Sequence, residues 1–194
     1  MTAPVFYDIE ASGLNAHSFP IEVGWSELLA DGQVAARSVL VRPPIAWQER
    51  IGAWDPAAQE IHGISLDQLR DEGLPPREVA TLLNEALFDR TLHSDSPEFD
   101  GRWMEELFYE AGAVMDFTLS SIGADTLVVA AASKMGDLDY TAAEREAHLR
   151  APKTHRAADD SRYWAYLWKL VSEGYKAGVD ARPAFGRTRD TCLR

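Results

Sequence analysis

The sequence predicts a single α/β domain, and three observations support this fold class. Residues 6–10 and two later segments, 21–29 and 34–41, show the alternation of apolar and polar residues that is typical of strands. Helix start and stop signals then alternate with short apolar segments as far as residue 173. The chain has 194 residues, which is long enough for one sizeable core and too short for two.

The predicted strands begin with an antiparallel meander. Ala30-Asp31-Gly32 separates the second and third strands and is a hairpin signal, and Pro43-Pro44 ends the third. A short fourth strand is predicted at about Thr91–Ser94, and a fifth is predicted within residues 116–122. The predicted sheet therefore has five strands, of which the first three are antiparallel.

The predicted helices are recognised by capping residues, by proline in the first turn, by glycine at the end and by apolar stripes at helical spacing. Leu127–Met135 is apolar enough to predict a buried helix, and Trp103, on an apolar stripe, is predicted to be a core residue. In chain order the helices are predicted from Pro56 to about Ile61, from Ser65 to Gly73, from Pro76 onward, from Asp95-Ser96-Pro97 onward, over Leu127–Met135, from Thr141 to Pro152, and over about Asp159–Glu173.

Composition limits the cellular setting of the protein. No apolar run approaches the roughly 20 residues that a membrane span needs. The few residues before Asp8 leave no room for a cleavable signal peptide. The single cysteine, Cys192, excludes an internal disulfide and a cysteine-rich zinc site. We therefore expect a reducing, cytoplasmic location and no membrane association.

The net charge of −12 is unusual for a protein that binds nucleic acid, because such proteins normally present a basic surface. Residues 176–194 carry five basic and two acidic residues, a net charge of +3, which leaves −15 on residues 1–175. We interpret residues 1–175 as the domain and residues 176–194 as a basic, flexible C-terminal tail. The acidic body argues against the binding of long duplexes and is compatible with a short strand held at a metal site.

Asp8 and Glu10 are the first candidates for a functional site. Side chains at i and i+2 of a strand point to the same face, which places these carboxylates roughly 6–7 Å apart. Neighbouring carboxylates repel each other, and both stay ionised only when a cation lies between them. Oxygen ligands of this kind suit Mg²⁺ or Mn²⁺. Ser12-Gly13-Leu14 follow, and the glycine allows the backbone to approach a ligand closely.

Further acidic residues lie at predicted helix starts. Asp100 is in the first turn of a helix that follows a strand, and Asp159 and Asp160 begin the last helix just after His155. Singly, each has an ordinary explanation, because acidic residues in a first helical turn complement the helix dipole and a histidine in a polar loop is usually a surface residue. It is their order along the chain that indicates a function.

Three ordered motifs resemble the DEDDh subgroup of 3′→5′ exonucleases, a ribonuclease-H-like family. The motifs are Asp-x-Glu followed by Ser-Gly-Leu at residues 8–14, Phe-Asp at residues 99–100, and His-x-Ala-x-x-Asp at residues 155–160. Pro20–Gly24 and Ile61–Ile64 also resemble segments that members of this family carry at similar places. The resemblance covers about residues 4–172, which is nearly the whole domain.

The resemblance implies a ribonuclease-H-like fold, in which helices flank both faces of the mixed sheet. It implies a metal-dependent 3′→5′ exonuclease that hydrolyses single-stranded or short nucleic acid with a free 3′ end to nucleoside 5′-monophosphates. The cofactors would be two Mg²⁺ or Mn²⁺ ions. In this sequence the metal ligands would be Asp8, Glu10, Asp100 and Asp160, the general base would be His155, and the substrate-binding residues would be Ser12, Gly13, Leu14 and His62.

Two departures from the family's pattern leave alternatives open. Family members often have an asparagine shortly before the Phe-Asp pair, whereas here residues 93–98 read His-Ser-Asp-Ser-Pro-Glu, so Asp95 rivals Asp100 as the ligand from the second motif. The acidic body favours, as one alternative function, a phosphohydrolase of small nucleotides or dinucleotides. The other alternative is a catalytically silent ribonuclease-H-like interaction module, since fold does not determine function.

Overall fold

The computed structural model describes residues 3–176 and 191–192. Their strands form one mixed β-sheet. Its strands are β1 (Val5–Ala11), β2 (Pro20–Leu28), β3 (Val34–Leu40), β4 (Thr91–His93), β5 (Thr118–Leu119) and β6 (Thr191–Cys192). They lie in the order β5-β4-β1-β2-β3-β6. β1, β2 and β3 are antiparallel, whereas β4 is parallel to β1 and β5 is parallel to β4. The predicted antiparallel meander and mixed sheet are therefore confirmed.

Strand β6 is an addition to the five predicted strands. It pairs in parallel with Arg37 and Ser38 of β3, at the edge of the sheet opposite β5. Its two residues belong to the segment 176–194 that the sequence predicts to be a flexible tail. Residues 177–190 and 193–194 lie outside the described residues, so the division into a domain and a tail stays a prediction.

The helices begin and end largely where capping residues predict. Asp55 and Ser65 cap two of them, since their side chains accept hydrogen bonds from the backbone N–H groups of Ala57 and Gln68. Within the described ranges, no helix is both long and apolar enough to cross a membrane. The bounds are α1 (Ile45–Gln48), α2 (Pro56–His62), α3 (Leu66–Glu72), α4 (Pro76–Leu87), α5 (Pro97–Ala111), α6 (Ala124–Ala132), α7 (Tyr140–Arg150) and α8 (Ala157–Ser172).

Helix α6 differs from the prediction in both position and burial. It begins three residues before Leu127 and ends at Ala132, and of its residues Ala124 and Val128 are buried. Val129 is 52% exposed, so the predicted buried helix is wrong. The segment is apolar nearly all round, but only one side packs against α8, and composition alone does not reveal how many sides are covered.

Two cores lie on opposite faces of the sheet, and β1 contributes to both. Val5, Tyr7 and Ile9 pack into the larger core, which α4 and α5 complete. Phe6 points to the other face, where it packs with α6, α7 and α8. This alternation confirms the predicted period of two. Trp103 is 4% exposed in the larger core, as its position on an apolar stripe predicts.

The first turn of α8 lies directly against the backbone of β2. Gly24 pairs with Asp8 of β1, and a Cβ added to Gly24 would lie 2.1 Å from the carbonyl carbon of Ala157. Two further small residues continue the contact, since the hydroxyl groups of Ser26 and Ser161 form a hydrogen bond of 2.8 Å. The absence of a side chain at Gly24 therefore determines how closely α8 approaches β1 and β2.

We expect Gly24→Ala to lower the free energy of unfolding by about 1–3 kcal/mol or more, the range for overpacking a tightly packed site. The added Cβ would overlap the Ala157 backbone, which cannot move aside as a flexible side chain can. The matched control is Gly101→Ala within α5, where a Cβ meets nothing within 4 Å. That substitution is expected to stabilise the helix by about 0.5–1 kcal/mol. Urea denaturation of both variants measures the difference, and equal stabilities would contradict the close approach.

Candidate metal centre

The carboxylates of Asp8, Glu10 and Asp160 form one group beside β1. Asp8 and Glu10 lie on the face of β1 that α8 covers, and Asp160 lies in the first turn of α8. Each of the three offers a ligand oxygen, and these oxygens lie within 4.8 Å of one another. The close contact at Gly24 brings together residues that are about 150 positions apart in the sequence.

A second group consists of Asp8, Asp95 and Asp100, with oxygens that also lie within 4.8 Å of one another. Asp100 is buried in the first turn of α5, and Asp95 lies just before that helix. The sequence offers Asp95 and Asp100 as rivals, whereas the structure brings both to the same group. Asp8 belongs to both groups and is therefore placed between two clusters of carboxylates.

Hydrogen bonds fix the orientation of two buried carboxylates, those of Asp100 and Asp160. The Ser94 hydroxyl donates to Asp100 Oδ2, and the backbone N–H of Ser96 donates to the Ser94 hydroxyl at 2.8 Å. Asp160 Oδ1 accepts from the backbone N–H groups of Thr154 and His155, at 2.9 and 3.2 Å. Each of these two carboxylates thus has one oxygen tied to the protein, a common arrangement for metal ligands that must keep a fixed orientation.

The donor atoms fit hard divalent cations. Because the oxygens of each group lie within 4.8 Å of one another, an ion midway between two of them would lie at most 2.4 Å from each. Mg²⁺ prefers oxygen ligands at about 2.0–2.1 Å and Ca²⁺ at about 2.3–2.6 Å, so small side-chain movements would suit Mg²⁺ or Mn²⁺. The residues predicted to be metal ligands, Asp8, Glu10, Asp100 and Asp160, all belong to these two groups.

Burial and mutual repulsion raise the pKa values of the clustered carboxyl groups. Burial, followed by the Asp100 and Glu10 carboxylates, raises the pKa of Asp8 well above its usual range. Burial and then Asp160 raise the pKa of Glu10 to about 8. Burial raises the pKa of Asp100 to about 7, although the hydrogen bond from Ser94 opposes the shift. A bound cation would favour the ionised forms of these groups and so oppose the rise in their pKa values.

His155 lies in the loop before α8, beside Asp160. Its backbone adopts a φ of 57°, in the left-handed region, and its side chain is exposed. Its backbone N–H is tied to Asp160, and the next residue, Arg156, donates two hydrogen bonds of 2.9 and 2.8 Å to the buried carboxylate of Glu22. The loop is therefore fastened on both sides of the histidine, whereas its imidazole faces solvent.

The ion pair between Glu22 and Arg156 is a feature that the sequence did not reveal. Glu22 is 1% exposed and also accepts hydrogen bonds from Ser38 and from the backbone N–H of Ala157. In the structure Glu22 is therefore a hydrogen-bonding partner of β3 and of the segment that begins α8. No sequence pattern singled out Arg156, because its partner is 134 residues away.

The loop after β1 presents Leu14 to solvent and keeps Ser12 inside. The Ser12 hydroxyl is buried, donates to the carbonyl of Ala53 and accepts from the N–H of Phe19. A Cβ at Gly13 would lie 3.0 Å from the Ser18 hydroxyl, so this position is tight. Leu14 is 77% exposed and free to meet a ligand. The substrate contacts of all three residues stay predictions, and the Ser12 hydroxyl already has internal partners.

His62 lies at the end of α2 and has one ring nitrogen without a hydrogen-bond partner among the described residues. Its Nδ1 accepts from the backbone N–H of Ile64 at 3.0 Å, so Nε2 carries the proton of the neutral ring. That Nε2 is buried and unpaired in the described part of the chain. Burial lowers the pKa of His62, which keeps the ring neutral. Nε2–H is therefore a donor that lacks an acceptor.

Most of the aromatic residues that could stack on bases are core residues instead. Phe19, Trp47 and Trp103 are at most 4% exposed, and Phe19 stacks on Trp47 with ring centroids 5.6 Å apart. Trp54 is partly buried against the larger core and contacts His62 edge to face. Of this set, Trp54 is partly exposed, and its neighbour Asp55 lies against Gly13 in the loop after β1.

Comparison with solved structures finds this fold in E. coli exonuclease I. The zinc-ion-bound form of that protein with single-stranded DNA matches at a TM-score of 0.64 and 16% identity, over 89% of this chain and 41% of that chain. Its complex with a dA16 oligonucleotide matches at a TM-score of 0.65 and 15% identity, over 90% and 41%. Comparisons with protein-family models and with curated proteins give no match. The likeness shows the ribonuclease-H-like fold, and this chain spans about two fifths of those chains.

In the absence of divalent ions, we expect the free energy of unfolding to fall as the pH rises from about 4.5 to about 8. These two values are the ordinary pKa of Glu10 and its raised pKa in the folded protein. In this window the unfolded chain releases the Glu10 proton and the folded protein retains it, so a rise in pH favours unfolding. Thermal unfolding in a chelator across this range measures the effect. Glu10→Gln removes one titrating group and should make the dependence shallower, with a part due to Asp8 and Asp100 remaining, whereas an unchanged slope in that variant would contradict the shift.

Proposed function

We propose that this protein is a metal-dependent 3′→5′ exonuclease of the DEDDh type that acts on single-stranded or short nucleic acid. The observation that carries the proposal is the position of Asp8 in two carboxylate groups at once, with His155 beside one of them. The fold shared with exonuclease I, which has been seen with single-stranded DNA, adds support. The products would be nucleoside 5′-monophosphates.

The carboxylates would hold two Mg²⁺ or Mn²⁺ ions. Bound divalent ions supply positive charge to the scissile phosphate and make a water molecule more acidic. Asp8 would contribute to both ions, Glu10 and Asp160 would complete the first ion's ligands, and Asp100 would serve the second. The hydrogen bonds from Ser94 to Asp100 and from the loop before α8 to Asp160 would keep these oxygens oriented.

His155 would act as the general base. Its imidazole would take a proton from the attacking water, the water oxygen would bond to phosphorus, and the bond from phosphorus to the 3′ oxygen would break, after which the 3′ oxygen takes a proton from solvent to give a 3′-hydroxyl group. An imidazole suits this role because it titrates close to neutral pH. Its exposed ring on a tied backbone supports the proposal, since the ring can turn toward a substrate while its distance from Asp160 is maintained.

The end of the strand would be recognised by the loop after β1 and by His62. Leu14 offers an exposed apolar side chain for the terminal base, and the backbone of the neighbouring Gly13 would contact the terminal nucleotide. The buried Nε2–H of His62 would donate to an acceptor on the terminal nucleotide. Such a bond would satisfy a donor that has no acceptor within the described residues.

The proposal is tested with 5′-labelled DNA and RNA oligonucleotides in Mg²⁺ or Mn²⁺. We expect stepwise shortening from the 3′ end, release of nucleoside 5′-monophosphates and loss of activity in excess chelator. A 3′-phosphorylated oligonucleotide is the control and should resist digestion. Cleavage of dinucleotides alone would favour the small-nucleotide phosphohydrolase, for which the charge of −12 is the supporting observation. Absence of any hydrolysis would favour a silent interaction module.

His155→Ala and Asp8→Asn should both lower turnover, but they should differ in their effect on Mn²⁺ binding. His155→Ala removes the proton acceptor and leaves the carboxylates, so turnover should fall by about 10²–10⁴-fold while Mn²⁺ and oligonucleotide still bind. Asp8→Asn removes a ligand from both groups, so Mn²⁺ binding and turnover should fall together. His148→Ala, an exposed histidine of α7, is the control and should keep wild-type turnover. Loss of Mn²⁺ binding in His155→Ala, or wild-type turnover, would contradict the assignment.

A further inference from the structure

Asp95 stands beside the proposed catalytic carboxylates, although the family resemblance assigns it no role. Where family members often have an asparagine shortly before the Phe-Asp pair, this segment carries an acidic side chain. One of the oxygens of Asp95 lies within 4.8 Å of ligand oxygens of both Asp8 and Asp100. It is near enough for its charge to contribute to raising the pKa values of Asp8 and Asp100.

Two donors from other elements hold the Asp95 carboxylate in this place. Lys153 Nζ, in the loop between α7 and α8, forms an ion pair with Oδ2, and Trp164 Nε1 of α8 donates to the same oxygen at 3.3 Å. Lys153 itself lies over the rings of Tyr163 and Trp164, at 5.4 and 4.9 Å from their centroids. The carboxylate is thus fixed by contacts from the same part of the chain that carries His155 and Asp160.

The arrangement of the donors leaves one oxygen of Asp95 available. Both described hydrogen bonds end on Oδ2, and among the described residues no hydrogen bond ends on Oδ1. The two residues of the ion pair have side chains 29% and 28% exposed, and pairs reached by solvent contribute little to stability. The ion pair therefore orients the Asp95 carboxylate and contributes little to the stability of the protein.

We propose that Asp95 is a ligand of the second divalent ion, so that three carboxylates serve each ion. This inference rests on the proposed two-ion function. Asp8, Glu10 and Asp160 would hold the first ion, and Asp8, Asp95 and Asp100 the second, with Lys153 and Trp164 orienting Asp95 through Oδ2. Carboxylate oxygens are the ligands that Mg²⁺ and Mn²⁺ prefer.

A third carboxylate has a consequence for the order of binding. A second ion held by fewer protein charges depends more on the substrate phosphate to complete its ligands. With Asp95 present, the protein supplies three carboxylates to the second ion before any nucleic acid arrives. The second ion should therefore bind to the substrate-free protein, and its affinity should depend on Asp95.

A titration of the substrate-free protein with Mn²⁺ tests this, with free Mn²⁺ counted by its electron paramagnetic resonance signal. The wild type should bind two ions. Asp95→Asn should weaken the second by at least about 10-fold, the lower end of what changes around metal ligands produce, and leave the first unchanged. The retained first ion shows that the variant is folded, and Asp95→Ser offers a second variant without the carboxylate. Asp125→Asn, an exposed acid at the start of α6, removes the same charge and should bind both ions normally.

The outcomes separate this inference from the proposed function. Wild-type binding of both ions by Asp95→Asn and Asp95→Ser would overturn the role of Asp95 and leave the exonuclease proposal intact. Equal weakening in Asp125→Asn would also overturn it, because general charge would then explain the effect. If the wild type binds fewer than two ions without substrate, the inference fails, whatever its activity on oligonucleotides. Two bound ions, of which only the second depends on Asp95, together with no hydrolysis of oligonucleotides, would support this inference and overturn the proposed function.

Discussion

The close contact between the first turn of α8 and the backbone of β2 is the constraint on which the candidate site depends. Gly24 has no side chain, and Ala157 has a small one, so the helix start lies against the strand beside Asp8. Asp160 thereby reaches Asp8 and Glu10, and the loop before α8 brings His155 and Lys153 to the same region. A bulkier residue at either position would separate elements whose carboxylates would share one ion in the proposed function.

Crowding of carboxylates works against folding, and the surrounding structure offsets it only in part. Arg156 compensates Glu22, and Lys153 compensates Asp95, but Asp8 and Glu10 have no ion-pair partner among the described residues. Burial, and after it repulsion from the neighbouring carboxylates, raises the pKa values of both groups. A protein that concentrates like charges in a buried place loses stability there, and such sites are commonly functional. In the proposed function, a bound divalent cation would neutralise these carboxylates and offset the loss of stability.

The sequence predicts those features that depend on neighbouring residues. The period of two in β1 places Asp8 and Glu10 on one face, and Asp55 and Ser65 cap helices where expected. The motifs at residues 8–14, 99–100 and 155–160 identify the principal carboxylates. The sequence does not reveal contacts between distant residues, such as Lys153 with Asp95, which are 58 residues apart. It also offers Asp95 and Asp100 as rivals, because only the folded chain shows that both reach Asp8.

The charge of the protein limits how a nucleic acid could be held. Residues 1–175 carry a net charge of −15, so a long phosphate backbone would be repelled over most of the surface. Attraction would come at short range from divalent ions in the two carboxylate groups, and it would act on the phosphate next to them. Because few lysine and arginine contacts would displace counterions, affinity would depend weakly on monovalent salt and strongly on the divalent ion. Such a surface would suit the binding of one terminal phosphate better than that of a long strand, in agreement with the proposed cleavage from an end.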